Sequence, residues 1–98
     1  MSTKDRILCA LLASGEMFGR EIRDAAQQVG GRIPLGTLYV TLDRLVEAGL
    51  VDFREGDPIP GKGGNRRKYF WLTGSGVAAA TAIVEELRHW QGGGLGYA

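Results

Sequence analysis

Residues 34–49 read Pro34-Leu35-Gly36-Thr37-Leu38-Tyr39-Val40-Thr41-Leu42-Asp43-Arg44-Leu45-Val46-Glu47-Ala48-Gly49, and their leucines recur with the spacing of an amphipathic helix. Because an α-helix turns by about 100° per residue, the apolar positions fall on one side. These positions are Leu35, Leu38, Leu42, Leu45 and Val46. Pro34 suits a first helical turn, where its missing amide hydrogen would be unpaired anyway, and Gly49 tolerates the left-handed backbone of a helix end. The segment predicts a helix over about 34–48.

The opposite side of this helix has an unusual composition, with Thr37, Val40, Thr41 and Arg44. Threonine and valine form helices less readily than the glutamate and lysine of most solvated faces. Small hydroxyl and methyl groups let a helix lie close in a DNA major groove, where an arginine can reach a guanine or a phosphate. A helix that is merely exposed explains this face equally well. Tyr39, at the border of the two sides, is expected either to direct its hydroxyl to a phosphate or only to pack.

A basic hairpin is predicted after this helix. Val51 and Phe53 alternate with polar neighbours, which is typical of a half-buried strand, and the four glycines and two prolines of residues 56–65 indicate a loop. Residues 66–72 predict the second strand. Four positive charges surround the loop, with no acidic residue between Asp57 and Glu85: Lys62, Arg66, Arg67 and Lys68. These cations are candidates for contact with a DNA backbone, and a solvated loop is the alternative.

Three further helices complete a mainly α fold with a small β-hairpin, the order of parts in a winged helix-turn-helix. Helix one is predicted over 3–14, with a turn at Ser14-Gly15-Glu16, and helix two over about 19–29. Helix two has a stripe of Ile22, Ala25, Ala26 and Val29. Thr73 is a natural N-cap for a fourth helix over about 74 to 90 or 91.

The fourth helix has an apolar stripe that a chain of this size covers only in part. The stripe steps by three and four residues, with Ile83 and Trp90 on its flank: Val77, Ala80, Val84 and Leu87. A helix of this kind commonly packs against its copy in a dimer. We therefore predict a winged helix-turn-helix over 1–73, a dimerisation helix over 74–91 and a flexible glycine-rich tail over 92–98.

Composition excludes several classes of function. With 98 residues, 44% hydrophobic and 23% charged, the chain is typical of one globular domain, and its net charge of +1 confines any phosphate-binding field to the hairpin. No apolar run approaches the roughly 20 residues that span a membrane, and no secretory signal is evident, so we expect a cytoplasmic protein. One cysteine, Cys9, and one histidine, His89, supply neither a metal site nor a nucleophile with its base. The chain is not expected to be an enzyme or to need a cofactor.

Three motifs, in order, resemble the PadR family of bacterial transcriptional regulators. The helix over 34–48 and its end are similar to the family's Gly-x-Leu-Tyr-Pro-x-Leu-x-x-Leu-x-x-x-Gly-Leu through Gly36, Leu38, Tyr39, Leu42, Leu45, Gly49 and Leu50. The second strand resembles Arg-x-Lys-Tyr-Tyr-x-Leu-Thr-x-x-Gly through Arg66, Lys68, Tyr69, Phe70, Leu72, Thr73 and Gly76. Phe18-Gly19-Arg20-Glu21-Ile22 is similar to a third motif, at the start of helix two. Val40 departs from the family's proline or alanine, and Trp71 from its polar residue.

The resemblance implies a homodimeric repressor that binds double-stranded DNA. The residues expected at the DNA are Thr37, Tyr39, Val40, Thr41, Arg44, Lys62, Arg66, Arg67 and Lys68. Those expected at the dimer interface are Ile7, Leu11, Val77, Ala80, Val84, Leu87 and Trp90. Some relatives bind planar aromatic compounds near that interface, which implies a small aromatic effector close to Trp90. The alternative is a winged helix that binds another protein through Val40 and Trp71 without binding DNA.

Overall fold

A computed structural model describes residues 1–58, 60–61 and 66–96, with side chains up to His89. Over these residues the chain forms four helices and a three-stranded antiparallel sheet, which confirms the winged helix-turn-helix. The elements are α1 (Thr3–Ser14), β1 (Met17–Phe18), α2 (Gly19–Gln27), α3 (Leu35–Glu47), β2 (Val51–Pro58), β3 (Arg66–Leu72) and α4 (Gly74–Gly96). Within the described ranges, no helix has the length and apolar character needed to cross a membrane.

The sheet has one strand more than the sequence predicts. β1 pairs with β3 in the order β1-β3-β2, with Met17 opposite Phe70 and Phe18 opposite Tyr69. A strand of two residues has no alternation that a pattern could reveal, and its partner lies about 50 residues away along the chain. The predicted hairpin is present as β2 and β3, but the prediction missed the third strand at this edge, where β1 leads directly into α2.

The hairpin of β2 and β3 forms the wing, and its first strand is longer than predicted. β2 continues to Pro58 because the register shifts between Glu55 and Pro58, so that one extra residue is accommodated as a bulge. The ring of Tyr69 packs on Gly56, where an added Cβ would lie 2.6 Å from the ring carbon Cε2. Residues 56–58, predicted as loop, therefore belong to the strand.

One core joins α1, α2, α3, the sheet and α4. Its fully buried members include Ile7, Leu8, Leu11, Ile22, Leu38, Leu42, Leu45 and Val51. Two residues predicted in the apolar stripes of α2 and α3 lie outside it: Val29 is 60% exposed and Leu35 is 44% exposed. α2 ends at Gln27, before Val29, and Leu35 begins α3 almost a turn before the first buried position at Leu38.

Arg6 has a structural role that the sequence did not indicate. Its side chain is buried among apolar neighbours, and its Nη1 donates to the carbonyl oxygens of Gly31 at 2.8 Å and Ala26 at 3.4 Å. A Cβ on Gly30 would lie 2.5 Å from the same Nη1. A cation near the C-terminal end of α2 adds hydrogen bonds to carbonyl oxygens there and interacts favourably with the helix dipole, so Arg6 fixes α1 against α2.

The junction of α3, β2 and α4 is held by backbone contacts. Gly49 has a φ of 77°, as its predicted left-handed role requires, and the amides of Gly49 and Leu50 donate to Val46 and Leu45 as in a Schellman turn. The Thr73 hydroxyl donates to the Gly49 carbonyl at 2.6 Å and accepts from the Gly76 amide at 3.1 Å, which confirms Thr73 as the cap of α4.

α4 extends further than predicted. The helix continues to Gly96, so the tail expected over 92–98 is helical as far as the structure describes it. Extending an existing helix adds one hydrogen bond for each residue fixed, which offsets part of the conformational cost of the glycines.

Candidate nucleic-acid interface

The exposed side of α3 presents a narrow line of small residues. Leu38, Leu42 and Leu45 are buried, and Val40 lies about 200° around the helix from Leu38, almost opposite the core. Val40 is 51% exposed, and Gly36, one turn earlier, has nothing within 4 Å of an added Cβ. Thr37 and Arg44 are exposed on one flank of this line. The predicted outward side of the helix is therefore accessible in the fold.

Thr41 differs from its predicted role as a donor. It is half-buried, and its hydroxyl donates to the Thr37 carbonyl at 2.7 Å, one turn earlier in the same helix. Because the hydroxyl has a single proton, this bond must break before Thr41 can donate to DNA. In this conformation Thr41 can only accept.

The side chain of Tyr39 extends from α3 to the start of α2. Its hydroxyl oxygen would be 2.5 Å from a Cβ on Gly19, so a side chain at Gly19 would displace it. Tyr39 and Gly19 line a cleft of about 320 Å³ together with Phe18, Arg66, Arg67 and Lys68. The cleft joins α3, the N-terminal end of α2 and the base of the wing.

The wing cations are exposed but held by specific contacts. The Arg67 guanidinium lies 4.4 Å from the ring centroid of Phe18, and the Lys68 ammonium 4.8 Å from that of Phe53. Arg66 donates from Nη1 to the Gly56 carbonyl at 3.3 Å. Aromatic rings hold such cations without neutralising their charge. Lys62, the fourth predicted cation, lies outside the described residues.

A neighbouring arginine of the wing is neutralised instead. Arg54 donates from Nε and Nη2 to the two carboxylate oxygens of Glu16, at 3.2 and 3.1 Å, and covers the ring of Tyr69 at 4.6 Å. These hydrogen bonds to Glu16 raise the pKa of Arg54 above its ordinary value. Arg54 therefore ties β2 to the α1–β1 turn.

Trp71 lies on the same side of β3 as Tyr69. It is half-buried and pairs with Asp52 of β2.

Two acidic residues, which the sequence interpretation left out, limit the usable part of α3. Asp43 and Glu47 are exposed, about 140° and 180° around the helix from Leu38, and so share the outward side with Val40. The same rotation by 100° per residue could have found them. Because phosphates repel carboxylates, Asp43 and Glu47 disfavour an anionic partner on their own flank of α3, whereas Arg44 lies about 100° and 60° around the helix from them. The N-terminal part of α3, the part with which helix-turn-helix proteins contact base edges, is free of acidic residues.

The residues predicted for the dimer interface divide into two groups. Ile7, Leu11 and Ala80 are almost completely buried inside the protomer, so their assignment to an interface was wrong. They belong to the core of the protomer, in which α4 packs on α1. Val77 and Leu87 are 44% and 40% exposed, and Val84 is half-buried. The side chain of Trp90 lies outside the described residues.

A second cleft, of about 420 Å³, lies between the start of α1 and α4. It combines apolar and acidic side chains: Met1, Asp5, Ile83, Glu86, Leu87 and His89. The cleft has room for a small aromatic compound, and the carboxylates of Asp5 and Glu86 disfavour a compound with a negative charge. A small aromatic effector near this end of α4 stays a prediction. In the described part of the chain, no group of His, Cys, Asp and Glu could hold a metal ion.

Comparisons with known proteins agree with this geometry. A PadR family transcription regulator from hypervirulent Clostridium difficile R20291 is 23% identical and superposes with a TM-score of 0.72, over 92% of each chain. Bacillus subtilis PadR, solved in complex with operator DNA, is 22% identical with a TM-score of 0.67, over 85% of this chain and 47% of that one.

A third solved structure is NadR in complex with 4-hydroxyphenylacetate, 24% identical with a TM-score of 0.70 over 93% of this chain and 57% of NadR. At these identities, the likeness shows the fold alone. No curated protein matches the chain. The family model described as the transcriptional regulator PadR-like family matches residues 7–82. With that match covering most of the sequence, and the winged fold and its motifs in place, the chain belongs to the PadR-like family of transcriptional regulators.

Proposed function

We propose that this protein is a sequence-specific DNA-binding repressor that acts as a homodimer. The observation that carries the proposal is the cleft in which Tyr39 of α3 meets Arg66, Arg67 and Lys68 of the wing. An exposed helix side with small residues and a cationic hairpin beside it are the two parts of a groove-and-backbone interface. The solved complex of B. subtilis PadR with operator DNA supports this use of the fold.

The two parts have different tasks. Arg44 and the Gly36–Val40 line face outward from α3, where they can reach base edges. The wing cations contact phosphates, which carry no sequence information, and so set affinity and salt dependence. A dimer that occupies two half-sites across a promoter blocks the access of RNA polymerase to that promoter. This form of repression needs no contact between the dimer and another protein.

Binding to random-sequence DNA duplexes, followed by repeated selection, tests the proposal. We expect one sequence with two half-sites to be enriched, and its affinity to fall by about 10³-fold or more between 50 and 200 mM salt, since a dimer would neutralise at least six phosphates. A winged helix that binds proteins through Val40 and Trp71 would enrich no sequence, and its apolar contact would scarcely respond to salt. Failure to enrich any sequence would contradict the DNA-binding function.

Homodimerisation is proposed through the exposed part of α4. Val77 and Leu87 are large apolar residues exposed on this helix. Ile7, Leu11 and Ala80 are not part of the proposed interface, because they are buried inside the protomer. Two copies of α4, packed side by side, would cover these residues and place the two α3 helices of the dimer about one DNA turn apart.

Leu87→Glu is expected to convert the dimer to a monomer, because the change buries an unpaired charge in the interface. Static light scattering at micromolar concentration measures the mass directly. Val29→Glu is the matched control, since Val29 is 60% exposed on a different surface and should leave the dimer intact. A wild-type protein that is monomeric under these conditions would remove the dimer from the proposal.

A further inference from the structure

Before Asp43, the outermost line of α3 lacks the polar groups that usually read DNA. Gly36 has no side chain, and Val40, one turn later, is apolar and 51% exposed. An exposed valine is a poor choice for a solvated helix, because it lowers helix propensity relative to lysine or glutamate without contributing to the core. Contact with an apolar partner would explain both the residue and its position.

The neighbours of Val40 leave the centre of this line without a free donor. The Thr41 hydroxyl donates to the Thr37 carbonyl at 2.7 Å. Arg44 and Thr37 lie on the flank, about 40° and 60° around the helix from Val40. The open space at Gly36 lets the helix backbone approach the groove floor closely, so that Val40 would meet the base edges directly.

Only one base offers an apolar group in the major groove. Adenine, guanine and cytosine present hydrogen-bond donors and acceptors there, whereas thymine adds a C5 methyl group. A valine placed against a polar edge would leave that edge without water or a partner, which is unfavourable. Against a thymine methyl, the same contact buries apolar surface on both sides.

We propose that Val40 recognises the C5 methyl of one thymine in each half-site, an inference that rests on the proposed DNA-binding function. The methyl contact makes an A·T pair the preferred pair at that position, read by shape and apolar burial. Arg44 then reads a neighbouring position from its flank of the helix. Val40 is thus a specificity-determining residue.

Replacement of thymine by uracil tests this directly, because it removes only the C5 methyl and keeps the hydrogen-bonding edge. Duplexes carrying the sequence enriched from the random pool are made with single thymines replaced by uracil in both half-sites, and their affinities are measured by gel shift. At one position the wild-type protein is expected to bind about fourfold more weakly per half-site, the scale for one buried methyl group. Val40→Ala has a shorter side chain, so it should lose most of the difference between the thymine and uracil duplexes.

Two controls separate this contact from other effects. Val40→Ala raises helix propensity at an exposed site, so the variant is expected to fold, as circular dichroism will show. Val29→Ala removes another exposed valine, 60% exposed and outside α3, and should retain the full response to uracil. If no thymine is sensitive, or if Val40→Ala keeps the sensitivity, the inference is overturned while DNA binding stands. If no sequence is enriched, DNA binding fails first, and the inference fails with it.

Discussion

A triple variant with Arg66, Arg67 and Lys68 changed to alanine is expected to bind all DNA sequences about 10²- to 10⁴-fold more weakly near physiological salt. A dimer would lose up to six phosphate contacts, each of which contributes about 0.9 to the slope of log affinity against log salt. The slope should therefore flatten by about 5, while the preferred sequence stays the same. Gel-shift titrations at several salt concentrations measure both quantities.

Matched variants show whether these losses come from the wing itself. Lys4 and Arg88 are exposed on α1 and α4, so alanine at both positions lowers the net charge far from the wing and should scarcely change the slope. Arg44→Ala should instead relax sequence preference, because Arg44 lies on the side of α3 that faces base edges. Unchanged DNA affinity in both the wing variant and Arg44→Ala would show that the assigned roles are wrong.

Folding should survive the wing substitutions. The three side chains are exposed, and the contacts of Arg67 with Phe18 and of Lys68 with Phe53 are each expected to contribute only about 0.5–1 kcal/mol. A loss of binding in a variant with unchanged thermal unfolding would therefore report the lost charges and not a lost wing.

Gly76→Ala is expected to destabilise the fold by about 3 kcal/mol or more, because the first turn of α4 crosses the chain at Leu50 without room for a side chain. An added Cβ would overlap the Leu50 carbonyl group. This carbonyl accepts the Thr73 amide at 3.0 Å and belongs to the turn that ends α3, so the backbone has little freedom to move aside. Overpacking against fixed atoms costs about 1–3 kcal/mol, occasionally more.

Gly74→Ala provides the control, since Gly74 is in the same helical turn and has nothing within 4 Å of an added Cβ. We expect this change to be neutral or slightly stabilising, because alanine restricts the unfolded chain. Urea unfolding of both variants measures the difference in their free energies of unfolding. In thermal unfolding, Gly76→Ala should lower the Tm by more than about 12 °C, at roughly 4–8 °C per kcal/mol. Equal stabilities would show that the close approach at Leu50 is not a structural constraint.

The helices and their apolar sides were largely predictable. Helix three was expected over 34–48 and forms over Leu35–Glu47, because periodicity, an initial proline and a terminal glycine are all local signals. The outward positions Thr37, Val40 and Arg44 followed from the same rotation. The motifs also named Thr73 and Gly76, but the reason for the glycine, its contact with Leu50, emerged only in the fold.

Contacts between distant residues were not predictable in this way. Arg6 bonds to carbonyls at Ala26 and Gly31, and Glu16 pairs with Arg54, yet no pattern links these positions along the chain. The engagement of Thr41 with its own helix also differs from the expected role. Such pairings depend on which elements meet, and a single sequence carries no record of that.

The order of amino acids was sufficient to specify four helices, a basic hairpin and the side of each helix that avoids water, since these properties arise among residues a few positions apart. It could not tell which apolar stripe the chain covers with its own segments. The fold buries Ile7, Leu11 and Ala80 in the core and leaves Val77, Leu87 and Val40 accessible. The physical reason is that periodicity measures local amphipathicity, whereas burial depends on packing between segments far apart in the chain.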